Sequence, residues 1–437
     1  MNPISKEVPI SKNSAVGVFL AAIMIWLMIF IPYGAAYDNP DSFPQPNPPW
    51  GARDAEMAAP DPTLARAVTP TTEWKYHKTS DNQHPDGNEQ QLMWLMNRAR
   101  SNPTREGIWL TTIYDRYMTY TQNCGQLTED VDFCYTAGAL DHWDVDLDLL
   151  QIEFAGYDAK PPAAFDVRLY RAAKTHSEYL IDIDDQNHTE QFKHISDENF
   201  SYTRVRGNAF SYALSAMYGH AAFNVDWGPD GGDGSGMQPK RGHRLAVMSL
   251  DGDYTNVGIA AVPESDSATD VGPLVVTGNY CRANPSAYKH YNRFLVGTVW
   301  SDKDGDQFFD PGEGIGDVTV MPDHGPYYAV TSIAGGYALP ITAPGTYEIT
   351  FSGAALNGDF VHTVMIGDDS VLLDLVDDSI SVFAADDAAD EGSGGGCFIT
   401  ALPAAQLAPR EPWACIVFGG VALIGSTALG GRKRNKQ

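Results

Sequence analysis

Arg168–Leu180, RLYRAAKTHSEYL, sets Leu169, Ala173, His176 and Leu180 on one face at helical spacing, with charged side chains around the rest. The pattern predicts a helix over 166–181. Upstream, Leu92, Leu95, Met96 and Ala99 recur at i, i+3, i+4 and i+7, with Asn88 as cap and Pro103 as stop. Asp146–Phe154 and Phe210–Trp227 are further helical stretches. Downstream the pattern becomes strand-like at Leu245–Met248, Val257–Val262 and Leu274–Thr277. Helices first and strands after predict an α+β layered domain over 84–290.

A second block, 292–378, is β-rich. Phe294–Trp300, Val318–Met321, Tyr347–Phe351 and Phe360–Ile366 are short strands between Gly- and Pro-containing turns, which predicts a small all-β sandwich. In its first loop Asp302, Asp304, Asp306, Asp310 and Glu313 stand at relative positions 1, 3, 5, 9 and 12, the oxygen-ligand spacing of an EF-hand-type loop, and Phe308 offers its carbonyl at position 7. Ca²⁺ takes six to eight oxygens, and alternate carboxylates can curl around it. Gln307 stands where that loop usually has Gly, and no helices flank it, so it is not a true EF-hand. A solvated acidic turn is the other reading.

The chain has 437 residues, 56 acidic and 29 basic, a net charge of −27. That excess opposes nucleic-acid binding, which needs clustered Lys and Arg. At the N-terminus Lys6 and Lys12 precede the uncharged run Ala15–Ile31 and then Gly34-Ala35-Ala36, an export signal over 1–36, cleaved or retained as an anchor. Residues 37–83 are Pro-rich and read as a linker. An acidic, Gly-rich spacer covers 379–411, an apolar span 412–431, and a basic tail 432–437 that stays cytoplasmic. The globular part is then exported and held at the cell surface. Oxidising surroundings permit a Cys124–Cys134 disulfide. Cys281, after a strand-like run, reads as a buried structural thiol.

Several segments together resemble the bacterial branch of the CAP superfamily (cysteine-rich secretory, antigen 5 and pathogenesis-related proteins; the SCP domain). They are, in order, Asn97–Pro103 (NRARSNP), Arg168–Leu180 with Asn187-His188-Thr189 after it, Gly219–Phe223 (GHAAF) leading to Val225–Gly228 (VDWG), Gly242–Met248 (GHRLAVM) and Tyr254–Ile259 (YTNVGI). The resemblance implies a three-layer α-β-α sandwich. Its cleft carries two His and two Glu and sometimes a divalent metal. By motif position His188 and His243 match the two histidines. The Glu positions do not match: Arg206-Gly207-Asn208 replaces one, and Asn224 stands at the other. Zn²⁺ prefers three or four ligands, so His220, one turn before Asn224, is a candidate third imidazole. His176 reads as a packed core histidine.

The second block resembles the prealbumin-like modules of bacterial surface proteins, through Val296–Trp300, the acidic loop, Gly316–Val320, Gly335–Leu339 and Gly345–Phe351. The end of the chain, Gly394-Gly395-Gly396-Cys397 followed by the span and basic tail, resembles prokaryotic sorting signals and implies processing near Cys397; a plain anchor is the alternative. Two functions follow. One is a surface-displayed binding or adhesion protein for a lipid, glycan or protein, attached through its C-terminal span. The other is a metal-dependent extracellular hydrolase of peptide or polysaccharide that uses His188 and His243.

Overall fold

The computed structural model describes residues 69–120 and 131–377, with backbone alone at 113–120 and 131–134. Both membrane signals, the Cys124–Cys134 pairing and Cys397 lie outside the described residues and side chains. The architecture mixes helices and sheets, as an α+β class requires.

Eight helices are described: α1 Gly87–Ser101, α2 Pro103–Tyr120, α3 Val131–His142, α4 Leu147–Ala155, α5 Val167–Ile183, α6 Gln191–Asp197, α7 Ala216–Val225 and α8 Gly242–Val247. Helix α1 begins at Asp86, not Asn88. Glu89 three residues on completes a reciprocal capping box, with Glu89 N donating to Asp86 Oδ1 at 3.0 Å and Asp86 N to Glu89 Oε2 at 2.9 Å. Pro103, expected only to stop α1, also opens α2, where its missing N–H costs nothing. In α5 the four residues of the apolar face are all fully buried. Asp166 caps it and holds the Arg168 guanidinium with both oxygens.

Two stretches fold differently from their sequence pattern. Phe210–Trp227 divides into the end of a strand and a helix, because Ser215 caps Tyr218 N at 3.0 Å and starts α7 there. Leu245–Met248 lies in and just after α8 instead of a strand. There Arg244, fully buried, donates to Val225 O at 2.9 Å, to Asn224 O and to Glu153, and these tertiary bonds outweigh β propensity.

Thirteen strands are described: β1 Thr72–Glu73, β2 Ala164–Phe165, β3 Tyr202–Ala213, β4 Asn256–Pro263, β5 Leu274–Ala283, β6 Phe294–Trp300, β7 Thr319–Pro322, β8 Tyr327–Val330, β9 Gly336–Pro340, β10 Gly345–Ser352, β11 Phe360–Ile366, β12 Val371–Leu372 and β13 Leu375–Val376. The first block holds the sheet β2-β4-β5-β3, antiparallel apart from the β2–β4 pair. Its two faces are read from alternate residues of β5. Thr277 meets Ser177 of α5 at 2.8 Å, and Asn279 meets Gln191 of α6 at 3.0 Å. On the opposite face Val276 lies beside Gly219 of α7.

The second block has two sheets, β1-β8-β7-β10-β11 and β12-β6-β13 with β9 on β6. They share one core that includes Val296, Leu339, Ile349, Phe351 and Val364. The segment assigned to a Pro-rich linker contributes to it. Thr72–Glu73 pairs in parallel with Tyr327–Tyr328, Trp74 is buried in the same core, and the His77 ring bonds Val330 O at 2.8 Å. The signal missed was the aromatic Trp74-Lys75-Tyr76 after the last prolines.

Helix α1 joins the blocks. Gln90 Nε2 donates to Thr298 Oγ1 at 2.8 Å, Gln91 Nε2 to Asp310 Oδ1 at 2.7 Å, and Trp94 Nε1 to Asp374 Oδ2 at 3.1 Å. A Cβ on Gly336 would fall 1.9 Å from the Gln90 amide and would displace it from this seam. Trp94, Trp109, Trp300, Phe308 and Phe309 form one apolar cluster drawn from both blocks. Neither block closes its own core at this seam.

Candidate functional site

His188 follows α5 and turns its Nδ1 to Gln191 Oε1 at 2.7 Å. Gln191, at the start of α6, is fully buried, and its Nε2 donates to Asn279 Oδ1 and Asn208 O. Asn208 Nδ2 in turn donates to His243 O at 3.0 Å. A run of amide hydrogen bonds along β3 thus joins the His188 ring to the backbone carbonyl of His243, and not to the His243 imidazole. Gly207 is explained by the same network. A Cβ there would stand 2.6 Å from the Gln191 amide and would push that buried group out of its hydrogen bonds.

His243 sits on the first turn of α8 and is held by Asp226. Its Nδ1 lies 2.6 Å from Asp226 Oδ1, and its backbone N donates to Asp226 Oδ2 at 3.0 Å. Asp226 is 1% exposed, at the left-handed residue that ends α7. An imidazole whose Nδ1–H is fixed on a buried carboxylate offers Nε2 as base or ligand. The sequence could not assign this role, because the pair is separated by 17 residues and no spacing rule joins a helix end to the next helix start.

His220 and Asn224 lie elsewhere in the packing. His220 is 2% exposed, and its Nε2 meets Glu106 Oε1 of α2 at 2.9 Å while its Nδ1 accepts from Asn224 Nδ2 at 3.3 Å. Burial pushes Glu106 up, but Arg98 and His220 outweigh it and hold the carboxyl below its ordinary range. Burial also lowers His220, so the neutral ring donates to an ionised Glu106. Arg98 meets Glu106 at 2.7 Å and lies 4.6 Å from the Trp109 ring centroid and 4.5 Å from that of Phe308. Both nitrogens of His220 are engaged in a structural network, and it cannot serve as third imidazole without giving up these bonds.

His176 is fully buried; its Nε2 donates to Asn187 O at 3.0 Å, and burial lowers its pKa to about 4. It is a packed core histidine. Its ring lies 5.8 Å from that of His194, a residue the sequence offered no reason to single out. Cys281 is fully buried in the layer between α5 and β5, and burial raises its thiol well above the ordinary range.

The acidic loop is folded around its own carboxylates. Asp302 accepts from Gly305 N and Gln307 N, Asp306 from Phe308 N at 2.7 Å, and Glu313 from Lys303 N at 2.7 Å and Asp310 N at 2.8 Å. Oxygens of Asp302, Asp304 and Glu313 come within 4.8 Å of one another, as do those of Asp304, Asp306 and Asp310, so Asp304 is common to two groups. Burial, with repulsion from the neighbouring carboxylates, pushes Asp306 and Glu313 up to about 7. Gln307 adopts φ 64°, the left-handed conformation that explains why such loops favour Gly there. Phe308 points away from the carboxylates and stacks on Trp109 at 5.5 Å.

The other convergent set among the described residues is His84, Asp86 and Glu89, and the α1 capping box with His84 on Glu89 accounts for it. Neither set contains His188 or His243, so the residues present fit a three-ligand Zn²⁺ centre poorly and fit an oxygen-seeking cation at the loop well. Among the described residues no helix is long and apolar enough to cross a membrane. Comparison with known protein families, curated proteins and solved structures gives no match.

Proposed function

We propose that this protein is an exported, surface-held binding protein in which Ca²⁺ in the loop 302–313 fastens a prealbumin-like β module to a CAP-like α-β-α body. The observation that carries the reading is the seating of the loop. Its carboxylates gather into two groups of three that share Asp304, while Phe308 and Phe309 enter the cluster of Trp94, Trp109 and Trp300. Asp302, Asp304, Asp306, Asp310 and Glu313, with the Phe308 carbonyl, would hold the ion, and its charge would relieve their mutual repulsion. Ordering the loop would then order the seam. The helices on both faces of β2-β4-β5-β3 support the CAP-like reading. The target would be a lipid, glycan or protein of a cell surface, with attachment through the C-terminal segment.

Calorimetric titration of chelator-stripped protein with Ca²⁺ tests this. Saturable binding that disappears in Glu313→Gln is expected; no binding by the wild type removes the reading.

The Asp226–His243 pair favours a second reading, an extracellular hydrolase acting on peptide or polysaccharide with His243 as general base and Asp226 positioning it. Hydrolysis lost in His243→Ala and retained in chelator would establish that form. Loss in both would restore the metal-dependent form, and no turnover at all would leave binding.

A further inference from the structure

A cavity of about 720 Å³ opens between the β1 segment, the start of α5, the 288–289 turn and β8. It is lined by Lys75, Lys78, Arg168, Arg171 and Lys289, five of the 29 basic residues in the chain, against the acids Glu73 and Asp317. In a chain of net charge −27 a cavity lined by five cations against two carboxylates stands out among the described residues.

Not all five are available. Arg168 is neutralised by Asp166, and Glu73 lies 3.7 Å from both Lys75 and Lys78. Arg171 is 3.8 Å from Glu198 and about half exposed. Lys289 donates to the Tyr327 hydroxyl, and among the described residues no carboxylate pairs with it. Lys289 is therefore the cation with no carboxylate partner among the described residues, and Arg171 and Lys75, each in a solvent-exposed ion pair that an incoming anion can exchange, lie beside it.

The walls are aromatic. Trp74, Tyr76 and Tyr327 form a cluster with centroid separations of 4.9 and 5.2 Å from Trp74. Tyr288 is 82% exposed, and the Lys289 ammonium lies 5.5 Å from its ring centroid. Thr79, Ser80 and Asn82 add hydroxyl and amide groups. An acyl chain would leave these cations and polar groups without partners. A pyranose ring can lie on an exposed tyrosine face while its carboxylate meets a guanidinium or ammonium.

We propose that this cavity binds an acidic polysaccharide through uronate carboxylates held by Lys289 and Arg171, with Tyr288 as stacking platform. The site is separate from the acidic loop and from His188 and His243, so it stands or falls independently of the function proposed above. At physiological salt the remote negative charge is screened within about 8 Å, and the local cations decide recognition.

The test is affinity electrophoresis and calorimetry of the intact protein with hyaluronan as the uronate polymer, and with dextran and poly-glutamate as controls. Hyaluronan should bind, with little retention by either control. Binding should fall at least about tenfold in Lys289→Glu/Arg171→Glu and as salt is raised. Tyr288→Ala, at a residue too exposed to affect folding, should weaken it several-fold. Failure to bind hyaluronan, equal binding of dextran, or indifference to the charge reversal overturns the site. Equal binding of poly-glutamate overturns the sugar assignment.

Discussion

Replacing Asp304 with Asn should reverse the order of stability between two buffers. Asp304 belongs to both convergent carboxylate groups, with partner oxygens within 4.8 Å. Two unit charges at that separation repel by about 1 kcal/mol in water and by about 3.5 kcal/mol at an effective dielectric near 20. The loop is partly solvated, so roughly 1–2 kcal/mol of relief is expected in chelator. At about 2 °C per kcal/mol for a domain of this size, Asp304→Asn should melt a few degrees above wild type there. Ca²⁺ at about 100 times its dissociation constant adds about 2.7 kcal/mol to wild type, or roughly 5 °C. The variant loses a ligand in both groups and should gain almost nothing. Scanning calorimetry in EDTA and in excess Ca²⁺ reads both numbers. If the variant melts below wild type in both buffers, or wild type does not respond to Ca²⁺, the reasoning about this loop is wrong.

Gln307→Gly should remove left-handed strain at φ 64° and, after the entropy of the added glycine, stabilise the chelated protein by about 0.5–1 kcal/mol; a lower denaturation midpoint would contradict this. Gly207→Ala should displace the buried Gln191 amide and cost about 1–3 kcal/mol in urea unfolding, and an unchanged midpoint would show that the network tolerates a Cβ. Burial lowers both His77 and His176 to about 4. The unfolded chain then takes up these protons first, so their stabilisation is complete above pH 6.5 and is lost as pH falls toward 4, by roughly 3 kcal/mol each. Urea midpoints between pH 7 and 4.5 should decline accordingly, and His77→Gln should flatten the decline; an unaltered slope would exclude His77 as a source.

Much of the framework was legible in the chain itself. The apolar face of α5, the position of β11 and the starts of the helices at Asp146 and Asp166 follow from local periodicity, which depends on neighbours within a few residues; the cap of α1 was misplaced by two residues, at Asn88 instead of Asp86. The carboxylates of the acidic loop converge because their alternate spacing is itself the geometry of a turn. The division of 210–227 and the helical state of 242–247 were not legible, because Ser215 could be weighed only as one weak signal and the partners of Arg244 lie on distant segments.

The site followed the same division. Sequence alone identified which imidazoles and carboxylates were worth watching, because residue type and local spacing carry that chemistry. Only the tertiary structure decided that Asp226 serves His243, that Glu106 occupies His220, that Trp74 belongs to the core of the second block, and that Phe308 and Phe309 of the loop 302–313 enter the seam between the blocks. Each of these joins residues brought together by packing, and a buried group takes whichever partner the fold delivers within about 3 Å, however far away it lies in the chain.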